Sequence, residues 1–185
     1  MSVHYTLTVT PKPLSDPGRS QGEYRNGYAF AVIKTDGSVV TWGDSSYGGD
    51  SSLVASDLAG AIDVTQIFST KTAFAALRTD GSVVTWGNSS SGGNSSAVAS
   101  ALAGEIDVMQ IYSTFGDFAA LRTDGSVITW GDSNSGDNSS AVANALSGDV
   151  DVTQIYSTLG SFAALRADGS GSLGGLEILV AIALL

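Results

Sequence analysis

One phrase constrains this chain more than any other. Residues 74 to 87 read Phe-Ala-Ala-Leu-Arg-Thr-Asp-Gly-Ser-Val-Val-Thr-Trp-Gly. The phrase returns at 118 to 131 with Ile128 in place of Val84. A looser copy runs from Phe30 to Gly43, and a fourth starts at Phe162 and breaks off after Ser170. Tryptophans at 42, 86 and 130 set a period of 44 residues. A fixed period of this length implies a solenoid, a propeller or an array of stacked units.

Each copy contains a hairpin. Phe74 to Arg78 and Ser82 to Trp86 are its expected strands, joined by Thr79-Asp80-Gly81. Asp before Gly suits a tight turn, because glycine takes a positive φ without steric penalty. The strands are apolar at nearly every position, so both faces of the sheet need cover. Trp42, Trp86 and Trp130 each end an apolar strand and are expected to wedge into the core. Asp107 to Thr114 reads as a further strand preceding the next hairpin.

The tryptophan is followed by a Ser/Gly/Asn/Asp-rich loop: Asp44 to Ser52, Asn88 to Ser96 and Asp132 to Ser140. The stretch Ala97 to Ala103 then predicts two turns of helix. Ser95 or Ser96 would cap it, Gly104 would end it, and Val98 and Leu102 would face inward. At the N-terminus, Val3 to Thr10 alternates as a strand that Pro11 and Pro13 close. It is expected to serve as the extra strand of the first group. At the other end, Leu176 to Leu185 follows a Gly-Ser-rich stretch and does not resemble the repeat. Ten residues are too few to span a bilayer, which needs about 20. The tail is expected to replace the missing Ser-Val-Val-Thr-Trp strand or to pack as a helix over an exposed end.

The expected fold is therefore mostly β: a propeller-like array of about four repeated three-stranded antiparallel blades, with a short helix in each inter-blade connection. One repeat domain would span 1–185. Its units fall at about 3–62, 63–106, 107–150 and 151–185, the first and last atypical.

Composition narrows the chemistry. The formal charge is −10 and there is no cysteine. An acidic field disfavours nucleic acid and anionic membranes, and the lack of thiols excludes disulfides. The single histidine, His4, sits on the first strand without a triad or metal-spaced partner set. Asp36, Asp80, Asp124 and Asp168 each precede glycine in a turn, which makes them structural. Lys34, Arg78, Arg122 and Arg166 repeat as a basic position expected to pair with nearby carboxylates. The stretch Asp132-Ser-Asn134-Ser-Gly-Asp137 resembles a calcium loop but lacks the closing glutamate. No catalytic residue, metal or cofactor is expected. No basic-then-apolar leader opens the chain. A place outside the cell or on its surface, within a larger bacterial repeat protein, is favoured over the cytoplasm.

The repeat resembles that of the regulator-of-chromosome-condensation family, over roughly residues 28 to 170. Val108 and Ile111, Gly116, Ala120-Leu121, Asp124-Gly125, Val127 and Trp130-Gly131 follow that family's order. The resemblance implies a propeller, and a β-lactamase-inhibiting relative implies that such a disc can bind protein. Phe30, Phe74, Phe118 and Phe162 stand near the place where the family usually has histidine. The family's Gly-Gln-Leu-Gly is replaced by the polar loop, and four units stand against its common seven. Nucleotide-exchange residues of the founding member find no match here.

Binding residues favour loops on rigid scaffolds. The candidate contacts are therefore Asp44, Tyr47, Asp50, Asn88, Asn94, Asp132, Asn134 and Asp137, and the expected ligand is another protein. The alternative is a structural protein that assembles with copies of itself into a fibre, layer or array. The copies starting at Phe74 and Phe118 differ at 11 of 44 positions, so a surface that fits one nearly fits the next. A homo-oligomer is expected for that reason, and an exposed end would promote it.

Overall fold

A computed structural model of the chain describes residues 24–132, 146–149, 151–167 and 179–182, the last stretch as backbone. Strand β1 (Ala29–Ile33) pairs with β2 (Val39–Gly43). Strands β3 (Val64–Ser69), β4 (Ala73–Arg78) and β5 (Val83–Gly87) form an antiparallel sheet in chain order. So do β6 (Val108–Ser113), β7 (Phe118–Arg122) and β8 (Val127–Trp130). The fourth sheet holds β9 (Val152–Ser157), β10 (Phe162–Arg166) and β11 (Leu179–Ile182). Among the described residues the fold is mostly β, with one two-stranded and three three-stranded antiparallel sheets repeating as blades.

The hairpin turns follow from the Asp-Gly pairs. Gly37, Gly81 and Gly125 take φ values of 74°, 73° and 73°. Asp80 and Asp124 reach over these turns: the side chain of each accepts from the backbone N–H and the hydroxyl of the serine two residues on. Asp36 does the same with Ser38. The structural reading of these three aspartates is what the geometry carries; Asp168 lies outside the described residues. The repeated basic position is paired as expected in three blades, Lys34 with Asp36, Arg78 with Asp57 and Asp80, and Arg122 with Asp124. In the fourth, Ser170 and Asp168, the counterparts of Arg78's partners Ser82 and Asp80, lie outside the described residues.

Strand alternation sorts the apolar residues into two faces per blade. On β4, Ala73, Ala75 and Leu77 point toward the next blade, packing with Val108, Ile111, Phe118 and Trp130. Phe74 and Ala76 point back, packing with Ala29 and Leu58 of the first blade. The same division holds between the third and fourth blades, where Tyr112, Ala119 and Leu121 meet Val152, Ile155, Phe162 and Ala164. Ala73, Ala75 and Ala76 are fully buried, and having no side chain beyond Cβ they let neighbouring sheets approach closely.

A backbone ladder ties the blades along one rim. Gly27 N–H donates to Lys71 C=O at 3.0 Å, Lys71 N–H to Phe115 C=O at 3.0 Å, and Phe115 N–H to Leu159 C=O at 2.8 Å. These four turn residues are spaced by the repeat period. Tyr24 lies across the same rim. Its N–H donates to Ser113 Oγ at 2.8 Å, and its carbonyl accepts from Ser69 Oγ at 2.8 Å.

Three expectations need correction or completion. The connection after Ser95 is not two turns of α-helix but a 3₁₀ helix over Ser96–Leu102. Ser95 makes no side-chain cap bond; its hydroxyl is hydrogen-bonded with Thr85 Oγ1 at 2.9 Å. Asn94 takes that role, accepting from Ser96 N–H at 3.0 Å. Seven residues give little drive to nucleate an α-helix, and short connectors commonly adopt the tighter 3₁₀ form. The inward residues were legible: Leu102 is buried and Val98 half-buried against the same core. Gly104 stops the helix at φ 88°.

The tail replaces the missing strand. Its β11 pairs antiparallel with β10, and Ile182 stands opposite Phe162. That is the register place which Trp42, Trp86 and Trp130 hold opposite Phe30, Phe74 and Phe118.

Trp86 and Trp130 are wedged in the core, but Trp42 is 48% exposed and Phe30 63%. Among the described residues no blade packs on the back of the first, where this pair stands. The strand expected over Val3 to Thr10 lies outside the described residues.

Candidate functional site

The loops after the tryptophans are built by side chains that cap short 3₁₀ turns. Asp44 accepts from Ser46 N–H at 2.9 Å ahead of Ser45–Tyr47. Asn88 accepts from Ser90 N–H at 2.9 Å ahead of Ser89–Ser91. Gly48 and Gly92 then carry φ values of 102° and 89°, which L side chains rarely adopt. Six residues beyond the first caps, Asp50 and Asn94 repeat the device, accepting from Ser52 N–H at 2.9 Å and Ser96 N–H at 3.0 Å. Thr41 and Thr85 donate to the carbonyls of Gly49 and Gly93 at 3.1 and 3.3 Å, fastening each loop to its own outer strand.

The loops also lock one blade to the next. Trp86 Nε1 donates to Gly48 C=O, and Trp130 Nε1 to Gly92 C=O, both at 3.1 Å. Each tryptophan stacks on its cross-strand phenylalanine, with ring centroids 5.2 Å apart for Phe74–Trp86 and for Phe118–Trp130. A loop of one blade therefore sits on the aromatic pair of the following blade.

Two successive loops enclose an open groove of about 520 Å³. Its walls include Ser45, Asp50, Ser52 and Leu53 from the first loop and Asn94 and Ser96 from the second. Leu53 is 99% exposed, an apolar knob among hydroxyls. The hydrogen bonds from Ser52, backbone first and then side chain, hold the Asp50 carboxyl below its usual range, so it stays ionised at neutral pH. The groove thus offers hydroxyl groups, one carboxylate, one amide and one aliphatic contact. That set suits recognition of a polar surface with an apolar patch.

The structure brings together two of the candidate contacts, Asp50 and Asn94, which line this groove from successive loops. Asp44 and Asn88 stand at the preceding caps. Tyr47 is half-buried beside Tyr28. Its ring lies 4.7 Å from that of Tyr28, and its carbonyl accepts from Asn26 Nδ2 at 2.8 Å. Asp132 is drawn inward, its N–H donating to Asp117 Oδ1 at 2.9 Å. Asn134 and Asp137 lie outside the described residues.

Two residues escape the sequence reading. Leu53 is one; the signal was there, since the same place holds Ala97 and Ala141 in later repeats. Asp117 is the other, a fully buried carboxylate that accepts from Thr114 Oγ1 at 2.7 Å. It stands where the repeat has Ala29, Ala73 and Ser161. Among the described residues there is no group of three or more metal-ligating side chains, and no helix long and apolar enough to cross a membrane.

No protein-family model matches the chain, and no curated protein does. Solved structures do. The ectodomain of the Physcomitrella patens receptor kinase CR4 superposes with a TM-score of 0.50 at 14% identity, covering 80% of this chain and 36% of that one. The CRINKLY WD40 ectodomain of the Arabidopsis thaliana receptor kinase ACR4 gives 0.50 at 14%, covering 78% of this chain and 50% of that one. Human WBSCR16 gives 0.47 at 17%, covering 77% and 44%. The fold is of the β-propeller kind, and the chain spans half or less of the length of these proteins.

Proposed function

We propose that the chain is a non-catalytic repeat scaffold of the chromosome-condensation-regulator type that binds another protein through its inter-blade loops. Asp50, Leu53 and Asn94 carry the contact, with Asp44 and Asn88 holding the loops in shape. The observation that supports this reading is the fully exposed Leu53 beside the Asp50–Asn94 groove. A rigid loop pair with an aliphatic knob inside a polar rim has the make-up of a small recognition surface. The propeller kind of fold is consistent with an interaction scaffold, though fold alone does not decide function.

A photo-crosslinking residue placed at Leu53 tests it, with the same residue at Thr79 on a hairpin turn as control. The expected result is a discrete adduct from position 53 alone. Binding of the isolated adduct protein is then abolished by Leu53→Asp, with the circular dichroism spectrum unchanged. Equal adducts from both positions, or binding indifferent to Leu53→Asp, would contradict the reading.

A further inference from the structure

The first and last blades end in the two halves of the interface that joins the interior blades. The back of the first blade presents Phe30, Val40 and Trp42, which are 63%, 41% and 48% exposed. Their counterparts Phe74, Val84 and Trp86 in the second blade are buried, at 5%, 8% and 4%. The front of the fourth blade presents Tyr156, Ala163 and Leu165, all only half-buried. Their counterparts Tyr112, Ala119 and Leu121 are buried against the fourth blade itself. One end thus lacks what the other end offers.

The rim ladder is open at the same two places. It runs from Gly27 through Lys71 and Phe115 to Leu159. Among the described residues no backbone carbonyl accepts from Leu159 N–H, and no backbone N–H donates to Gly27 C=O. Leu159 is 66% exposed. The repeat places the next rung between these two groups: a Leu159 N–H donating to a Gly27 C=O.

We propose that the front of the fourth blade docks on the back of the first blade of a second copy of this chain, head to tail. Tyr156, Ala163 and Leu165 of one copy would cover Phe30, Val40 and Trp42 of the other, and Leu159 N–H would extend the ladder to Gly27 C=O. The contact continues the interior blade-to-blade interface, so no new packing scheme is needed. It is heterologous, and gives a closed ring or an open filament according to whether the rotation closes. As a contact between separate copies, the association is concentration-dependent.

Sedimentation velocity over a concentration series tests this on the full chain, with three variants. Trp42→Asp blocks the back face, and Val40→Lys blocks it without touching an aromatic pair. Tyr156→Arg blocks the front face. The wild type is expected to grow in mass with concentration, and each variant to stay monomeric with its circular dichroism spectrum retained. An equimolar mixture of Trp42→Asp and Tyr156→Arg is expected to stop at a dimer, because each supplies the half the other has lost. If Trp42→Asp unfolds, Val40→Lys takes its place in the mixture. A wild type that stays monomeric at every soluble concentration would overturn the proposal, including one whose Trp42 is shielded by its own chain. So would variants that associate as the wild type does, or a mixture no heavier than its parts.

Discussion

The indole Nε1–H of Trp86 donates to the carbonyl of Gly48 at 3.1 Å, across 38 residues of sequence and from one blade to the next. The same bond recurs between Trp130 and Gly92. It joins the most distinctive residue of one repeat to the turn glycine of the preceding one. The repeat phrase is thus a matched pair of parts: an aromatic pair on the strands and a glycine in the loop that seats on it.

Gly48 should tolerate no side chain. A Cβ there would come within 2.6 Å of Phe74 Cδ2, and φ is 102°. Gly48→Ala is expected to cost roughly 1–3 kcal/mol in urea unfolding, from the left-handed backbone and the crowding together. Gly27→Ala is the control. A Cβ at Gly27 would meet nothing within 4 Å, so that variant should lie within about 0.5 kcal/mol of wild type.

Trp86 and Trp42 should differ although they occupy the same repeat place. Trp86→Phe removes the donor to Gly48 and is expected to cost roughly 1–3 kcal/mol, because a buried carbonyl loses its partner. Trp42→Phe should cost well under that, since its ring is half in solvent. Chemical denaturation of dilute protein, where copies do not associate, compares the two.

The loop caps make a finer prediction. Asn94→Ala removes the acceptor of Ser96 N–H and is expected to lower stability by about 1 kcal/mol. Ser96→Ala, where sequence reasoning also placed a cap, should be close to neutral. Reversal of that order in thermal unfolding would move the cap back to the serine.

Acid should weaken the hairpin turns. Partial burial pushes Asp80 and Asp124 up, but the hydrogen bonds from Ser82 and Ser126, with Arg78 and Arg122 nearby, outweigh it and leave both below 3.8. For Asp36 the bonds from Ser38 dominate in the same direction. A carboxyl whose folded value is depressed contributes stability that is present above its unfolded value and disappears as pH falls through the folded one. The melting temperature should therefore decline below about pH 4. The decline should be shallower in Asp80→Asn/Asp124→Asn, whose amides no longer titrate. An equally steep decline in that double variant would place the acid sensitivity elsewhere.

Much of this fold was legible because each unit is written several times over. The Asp-Gly turns, the apolar strands and the stopping glycine at Gly104 each follow from local physics. The strand role of the tail was legible as one of two readings, because the fourth hairpin lacked a partner. Other features were not local. That Ser95 spends its hydroxyl on Thr85, ten residues away, cannot be read from a capping pattern. That Trp42 faces solvent while Trp86 is buried depends on what lies behind each blade, and identical phrases cannot carry that difference. At the candidate site, the loop positions of Asp50 and Asn94 were legible from the polar composition around them. The packing of the Tyr47 ring on Tyr28 was not, because it depends on a distant part of the chain, and Leu53 was passed over because alanine fills its place in the other repeats.

The most direct measurement is hydrogen exchange of the three indole N–H groups, followed by ¹⁵N–¹H spectroscopy on dilute protein and assigned with Trp→Phe variants. Trp86 and Trp130, bonded to the glycine loops and buried, should exchange slowly, and Trp42 fast. Three indoles exchanging at one common rate would contradict blades that seat their aromatic pairs on the preceding loop.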